Sequence, residues 1–200
     1  MKAELFLVLL AYVLGSLPTA LLIVQGLTGE DVRRKGSGNI GATNALRTAG
    51  WKAGVAVTLI DVAKGALAVW LMQRFNPESG WVCAAMLAVV IGHCYPVWLK
   101  FRGGKGVAAG FGAFLVLAPL SALAALVVWV LVLVFSRWVA LASMVASAVF
   151  PLALKLLDEP DMVTLVSVSA AAVLIIFRHG SNIRNMLSGD EVKVGDDAWR

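Results

Sequence analysis

Nine residues, Gly36-Ser37-Gly38-Asn39-Ile40-Gly41-Ala42-Thr43-Asn44, followed by Arg47, hold three glycines, two asparagines and two hydroxyls. Glycine lets the chain turn tightly and lets a ligand reach the backbone, and successive N–H groups in such turns form concave nests for anions. Arg33, Arg34, Lys35 and Arg47 flank the stretch with positive charge. The chemistry this suits is the holding of a phosphate ester, with Gly36, Gly38, Asn39, Gly41, Thr43, Asn44 and Arg47 as binding candidates and Ser37 as a catalytic one. The spacing Gly36-x-Gly38-x-x-Gly41 also fits the dinucleotide fingerprint, which needs a strand before the first glycine and a βαβ context. Here the approach, Glu30 to Lys35, is charged and no alternating segment follows, so that reading is rejected. The plainer alternative is a flexible turn between helices.

A second stretch, Lys100-Phe101-Arg102-Gly103-Gly104-Lys105-Gly106-Val107, places a lysine among glycines at the start of an apolar run. It is not a P-loop, which would require glycine where Leu99 stands and a hydroxyl where Gly106 stands. A helix N-terminus and its N–H groups would add to the charge of Lys105, making Lys105 a catalytic candidate and Arg102, Gly103 and Gly104 binding candidates. An ordinary basic loop at a membrane surface would look the same. A third stretch, Arg178-His179-Gly180-Ser181-Asn182-Ile183-Arg184, follows the last apolar run. If a helix continues there, His179 and Asn182 are three apart and share a face, offering an imidazole and a neutral amide to one ligand. With two histidines and no carboxylate beside them, neither a metal centre nor a Ser-His-Asp arrangement is expected. His93, inside an apolar run, reads as a packed or hydrogen-bonding side chain. Asp61 and Lys64 can pair on one helix face, either as a structural ion pair or to orient the loops. Ser143 is a further polar candidate for substrate binding.

These loops need elements to carry them, and the composition says which. Of 200 residues, 60% are hydrophobic and 14% charged, and the mean hydropathy is +0.86. Soluble domains carry about 25% charge, so the chain belongs in a bilayer as an all-α, polytopic helix bundle. Apolar runs cover Ala3–Val24, Trp51–Met72, Gly80–Leu99, Trp138–Leu157 and Met162–Phe177. The first exceeds a signal-peptide core and reads as a retained helix. Between the third and fourth lies Val107–Phe135, too long for one comfortable span and interrupted by Pro119. Counting it as two short passes puts the basic clusters at residues 30–52, 100–105 and 178–200 on one side, and the turns 73–79 and 158–161 on the other. By the positive-inside rule the basic side is cytoplasmic. About seven transmembrane helices follow, the fourth and fifth shorter than usual, with the N-terminus outside and the C-terminus in the cytoplasm. Five full spans plus a re-entrant pair give the same sidedness. Residues 1–200 read as a single membrane domain with a short polar tail at 189–200. Gly50-xxx-Gly54 and Gly106-xxx-Gly110 suit close helix packing. The net charge of +5 lies in membrane-flanking clusters, so no nucleic-acid partner is expected. Cys83 and Cys94, about three turns apart on one helix, are packing residues.

At the three polar stretches, together with Asp61-x-x-Lys64-Gly65, the sequence closely resembles the bacterial acyl-phosphate:glycerol-3-phosphate acyltransferases, nearly end to end. The resemblance implies transfer of a fatty acyl group from acyl phosphate to the sn-1 hydroxyl of glycerol 3-phosphate, giving lysophosphatidic acid and phosphate. It implies a multi-pass protein of the bacterial inner membrane with its active site on the cytoplasmic side, working without a cofactor or metal, as a monomer whose partners are its two substrates and lipid. One departure is visible: where the family usually shows a second arginine three residues after the asparagine, this chain has Asn185, with Arg184 just before it. A transporter or channel for phosphate or glycerol 3-phosphate is the competing class, since a cationic glycine loop at the end of a bundle would serve there too.

Overall fold

Pro18 breaks the first apolar run, expected as one helix, into α1 (Lys2–Ser16) and α2 (Thr19–Thr28). Proline gives no N–H to the preceding turn and drives the residue before it out of the helical region; Leu17 accordingly takes φ −58 and ψ 120. In this computed structural model, which describes residues 1–196, the two halves still make one apolar stretch, Lys2–Thr28. The last four residues of the expected polar tail lie outside the described residues.

Helix α3 (Ala42–Phe75) starts well before the expected Trp51 and bends at Gly50, whose φ of 81 and ψ of 178 suit glycine alone. Gly50 faces open space, and Gly54 lies against Leu46 of the same helix, folded back across the bend. The expected use of this pair for packing between helices is therefore corrected: Gly50 makes the bend and Gly54 accommodates it. Next come α4 (Ser79–Cys94), α5 (Val107–Leu117), α6 (Pro119–Ser136), α7 (Val139–Leu157), α8 (Met162–Phe177) and α9 (Gly180–Ser188). Pro119 divides the long run as its chemistry requires, with α5 and α6 meeting at Ala118. Among the described residues, five stretches are long and apolar enough to cross a bilayer, and α8 with α9, bent by 47°, makes a sixth. At 11 residues, α5 extends about 17 Å against a hydrocarbon core of about 30 Å, so it is a short pass; just beyond it Ser121 donates to Asp158 in the turn after α7, which puts the α5–α6 junction at the face opposite the polar loops. Of the two short passes expected, only the first is short, since α6 has 18 residues.

Helix α4 is the centre of the bundle, packing on α1, α3, α5 and α8 through buried Val82, Met86, Val89 and Val90. Helix α6 turns Leu120, Leu123, Val127, Val134 and Phe135 outward, as a lipid-facing helix does. A Cβ at Gly65 would strike the Ala109 carbonyl, and one at Gly112 the Val62 carbonyl, so α3 and α5 touch backbone to backbone. That contact fixes where α5 begins, and so where the second polar loop must end. Cys83 and Cys94 are buried and free.

Asp61 and Lys64, 1% and 5% exposed, pair at 2.8 Å. Thr19 Oγ1 donates to Asp61 at 2.9 Å, and Lys64 Nζ donates to the Leu17 carbonyl at 3.2 Å. A buried pair is tolerable only when its remaining valences are met, and here they are met at the break made by Pro18. Charge inside the bundle thus ties the broken first span to α3.

Candidate active site

The first polar loop is built around one side chain. Asn44, 1% exposed, accepts from the Ser37 N–H at 3.0 Å, and its amide nitrogen donates to the carbonyls of Val32, Lys35 and Asn39 at 2.9, 3.1 and 2.9 Å. These bonds close the loop on itself, so the polar atoms of Asn44 are engaged by the loop it belongs to. Gly36, with φ 54, lies so close that a Cβ there would strike Asn44 Oδ1. Gly41 precedes α3, and its carbonyl accepts from the N–H groups of Asn44 and Ala45. Ser37 stands exposed at the rim, Asn39 and Thr43 are half-buried, and Arg47 comes one turn further along α3, also half-buried.

The second loop is docked under the end of α4. The Gly103 N–H donates to the Cys94 carbonyl (3.1 Å) and the Gly104 N–H to the His93 carbonyl (3.0 Å). A Cβ on Gly104 would strike the His93 ring, and one on Gly103 the carbonyls of His93 and Cys94. His93, buried and 3.9 Å from Asp61 at Nδ1, thus separates the intramembrane pair from this loop. Just before it, Lys100 and Phe101 both take left-handed φ values, 52 and 62, an uncommon conformation for side-chain-bearing residues. Lys105 follows at the N-terminus of α5, where the helix dipole favours a bound anion beside it.

The third stretch does not continue α8. The chain bends by 47° between α8 and α9, and His179 sits at the bend with φ −91 and ψ 9. The His179 ring is 2% exposed, and its Nδ1 lies 2.8 Å from the Ile175 carbonyl, a contact made by the Nδ1–H tautomer that leaves Nε2 as the bare nitrogen. Arg178 clamps the second loop, donating from Nε to the Gly104 carbonyl at 3.1 Å and from a terminal nitrogen to the Gly103 carbonyl at 2.9 Å, with its guanidinium over the Tyr95 ring. Lys105 Nζ donates to Asn182 Oδ1.

The three stretches therefore meet. Gly38 and Ile40 from the first, Leu99 to Gly103 from the second and Arg178 from the third line one cleft of about 780 Å³, with Arg33, Lys100 and Arg102 adding positive charge. Lys105, Asn182 and Arg47 gather beside it, close enough that the charge of Arg47 acts on Lys105. Burial, with Arg47 and Arg178 nearby, lowers the Lys105 pKa to about 8 against the opposing pull of Glu191. Ser143 lies elsewhere: it accepts from Trp129 Nε1 (3.1 Å) and donates to the Val139 carbonyl (2.8 Å), tying α6 to α7.

Two side chains escaped the sequence reading. Arg178 was grouped with the basic tail, and only the fold shows it holding the lysine loop. Glu191 corrects the expectation that no carboxylate stands near this motif: its Oε1 accepts from Asn182 Nδ2 at 2.7 Å. Nothing in the sequence marks it, because it is one acid in a polar tail nine residues beyond Asn182.

Fold and site together define a multi-pass helical membrane protein whose three polar loops converge on one cationic pocket. The family model described as Glycerol-3-phosphate acyltransferase matches residues 5–189. The chain is 43% identical to the glycerol-3-phosphate acyltransferase of Geotalea daltonii, covering 96% of this chain and 97% of that one. It is 45% identical to that of Rubrobacter xylanophilus, covering 96% of each. Among solved structures it resembles PlsY (YgiH), an integral membrane glycerol 3-phosphate acyltransferase, in its glycerol 3-phosphate form, with a TM-score of 0.91 and 39% identity over 96% of each chain. The chain belongs to the glycerol-3-phosphate acyltransferase family.

Proposed function

We propose that the protein transfers a fatty acyl group from acyl phosphate to the sn-1 hydroxyl of glycerol 3-phosphate. The hydroxyl oxygen bonds to the acyl carbon, the carbon–oxygen bond to phosphate breaks, and the products are lysophosphatidic acid and inorganic phosphate. The observation that carries this reading is the convergence of Lys105, Arg47 and Asn182 with the glycine loop at one membrane boundary. Both substrates bring phosphate, and only the bundle offers apolar surface to an acyl chain. In this reading Arg47 holds the acceptor's phosphate, aided by Gly36, Gly38, Asn39, Gly41, Thr43, Arg102, Gly103 and Gly104. Asn44 holds the loop that presents them. Lys105 and the Ser37 hydroxyl stabilise charge at the acyl oxygen, and His179 and Asn182 orient the acceptor. The glycerol 3-phosphate and lysophosphatidic acid forms of PlsY support the acceptor and product. Purified protein in detergent, given glycerol 3-phosphate and palmitoyl phosphate, is expected to form lysophosphatidate without any ion gradient, and more slowly or not at all with acyl-CoA. Uptake into vesicles with no acylated product would overturn the enzyme reading.

The acceptor's proton goes to the departing phosphate rather than to His179. The departing phosphate has oxygens close to the attacking hydroxyl and becomes more basic as the acyl bond breaks, while the His179 ring is held at Nδ1 by the Ile175 carbonyl and orients the acceptor. Phosphate esters titrate near about 6, so proton transfer to the departing phosphate gives kcat an acidic limb near pH 6 that belongs to the substrate. His179→Asn is expected to keep measurable turnover and the same limb near 6. If the variant binds both substrates normally yet is inert, His179 is the base.

The active site lies on the cytoplasmic side of the inner membrane, with the N-terminus outside, in one domain acting as a monomer. In a Cys83→Ala, Cys94→Ala background, a cysteine at Ser188 should be shielded from an impermeant thiol reagent in right-side-out membranes, and one at Ser79 labelled. The reverse pattern would invert the topology.

A further inference from the structure

We propose that Glu191 is a built-in competitor for the phosphate site, holding a carboxylate where a substrate phosphate binds until the tail lets go. The inference rests on the function proposed above, in which Arg47 holds the acceptor's phosphate beside Lys105 and Asn182. Asn182 has two polar ends: its oxygen accepts from Lys105, and its nitrogen donates to Glu191 at 2.7 Å. Glu191 is also the carboxylate whose charge acts on both Lys105 and Arg47. A phosphate oxygen in that place would satisfy the same donors with more charge, since it carries close to two negative charges at neutral pH.

The carboxylate does not arrive there by its own helix. After Ser188 the chain folds back across the start of α7, where Trp138 Nε1 donates to the Glu191 carbonyl (3.1 Å). Arg137 and Val194 exchange two hydrogen bonds, from Arg137 Nε to the Val194 carbonyl (2.7 Å) and from the Val194 N–H to the Arg137 carbonyl (2.8 Å). Arg137 also meets Asp196 at 3.3 Å, and Lys193 lies over the Trp138 ring. The anchors carrying charge are half exposed, and exposed pairs contribute at most about 1 kcal/mol. The tail is thus held well enough to place Glu191 and loosely enough for a dianion to displace it.

A site open only a fraction of the time shows its intrinsic affinity reduced by that fraction. Equilibrium binding of radiolabelled inorganic phosphate to the full chain in detergent tests this. Glu191→Gln, which keeps the shape and removes the charge, is expected to tighten phosphate binding about five- to tenfold, as for a site occupied roughly 80–90% of the time. Arg137→Ala loosens the anchor away from the pocket and is expected to shift binding the same way by a smaller factor, with the KM for glycerol 3-phosphate falling in parallel. Unchanged or weaker phosphate binding by Glu191→Gln, in protein whose melting temperature matches wild type, overturns the proposal and makes Glu191 part of the site's framework. Tighter phosphate binding in a protein that forms no lysophosphatidate would uphold the competing tail while refuting the acyl transfer.

Discussion

Lys105→Ala is expected to lower kcat/KM for acyl transfer by about 30- to 1000-fold. Removing a charge-assisted contact to a phosphate or a developing oxyanion in a half-buried site forfeits roughly 2–4 kcal/mol, and each 1.4 kcal/mol is tenfold. The lysine is placed for such work: it stands just ahead of the N-cap of α5, it donates to Asn182, and burial together with Arg47 and Arg178 brings its pKa down to about 8. A lysine is charged below its pKa, so kcat/KM, which reports the free enzyme, should fall as the pH rises through about 8. Lys105→Arg should lose that alkaline limb, because a guanidinium stays charged, yet fail to regain wild-type turnover, because a planar fork does not replace a compact ammonium between Gly104 and Gly106. Lysophosphatidate formation from pH 6 to 10 gives both readings. Near-normal turnover by Lys105→Ala would return this lysine to the role of a topological charge.

Asn44→Ala is expected to cost nearly as much without touching a substrate. The substitution strips partners from the Ser37 N–H and from the carbonyls of Val32, Lys35 and Asn39. A buried polar group left unmet costs about 1–3 kcal/mol. Even about 3 kcal/mol shared over the loop would leave roughly one molecule in a hundred with the loop closed, and activity should fall about 100-fold. The bundle should survive, since Asn44 lies ahead of the bend at Gly50 and outside the contacts that hold α3 to α5. Circular dichroism and gel filtration should match wild type, while trypsin should cut faster at Arg33, Arg34 and Lys35. Wild-type activity in Asn44→Ala would show that the loop does not need its internal amide.

The amino-acid sequence by itself determined the solvent, the element type and the location of the chemistry. Apolar runs with 14% charge overall leave the backbone no option but helices in a bilayer, because every N–H and C=O must be satisfied within the segment. Glycine-rich loops bordered by cations are unsuited to lipid and to packing alike, so they had to be boundary sites. Proline chemistry located the division at Pro119, and applied equally to Pro18 it would have found the split of the first span.

Tertiary structure alone decided which polar groups face one another. That Asn44 closes its own loop, that Arg178 clamps the carbonyls of Gly103 and Gly104, and that His179 sits at a bend rather than on a continuous helix face all depend on contacts between segments far apart in the chain. Helical periodicity reports the neighbours three and four residues away and is silent on such pairs. Glu191 is the extreme case. Its type and local spacing are those of any solvated tail residue, and only the fold-back of the chain onto Arg137 and Trp138 brings its carboxylate to Asn182.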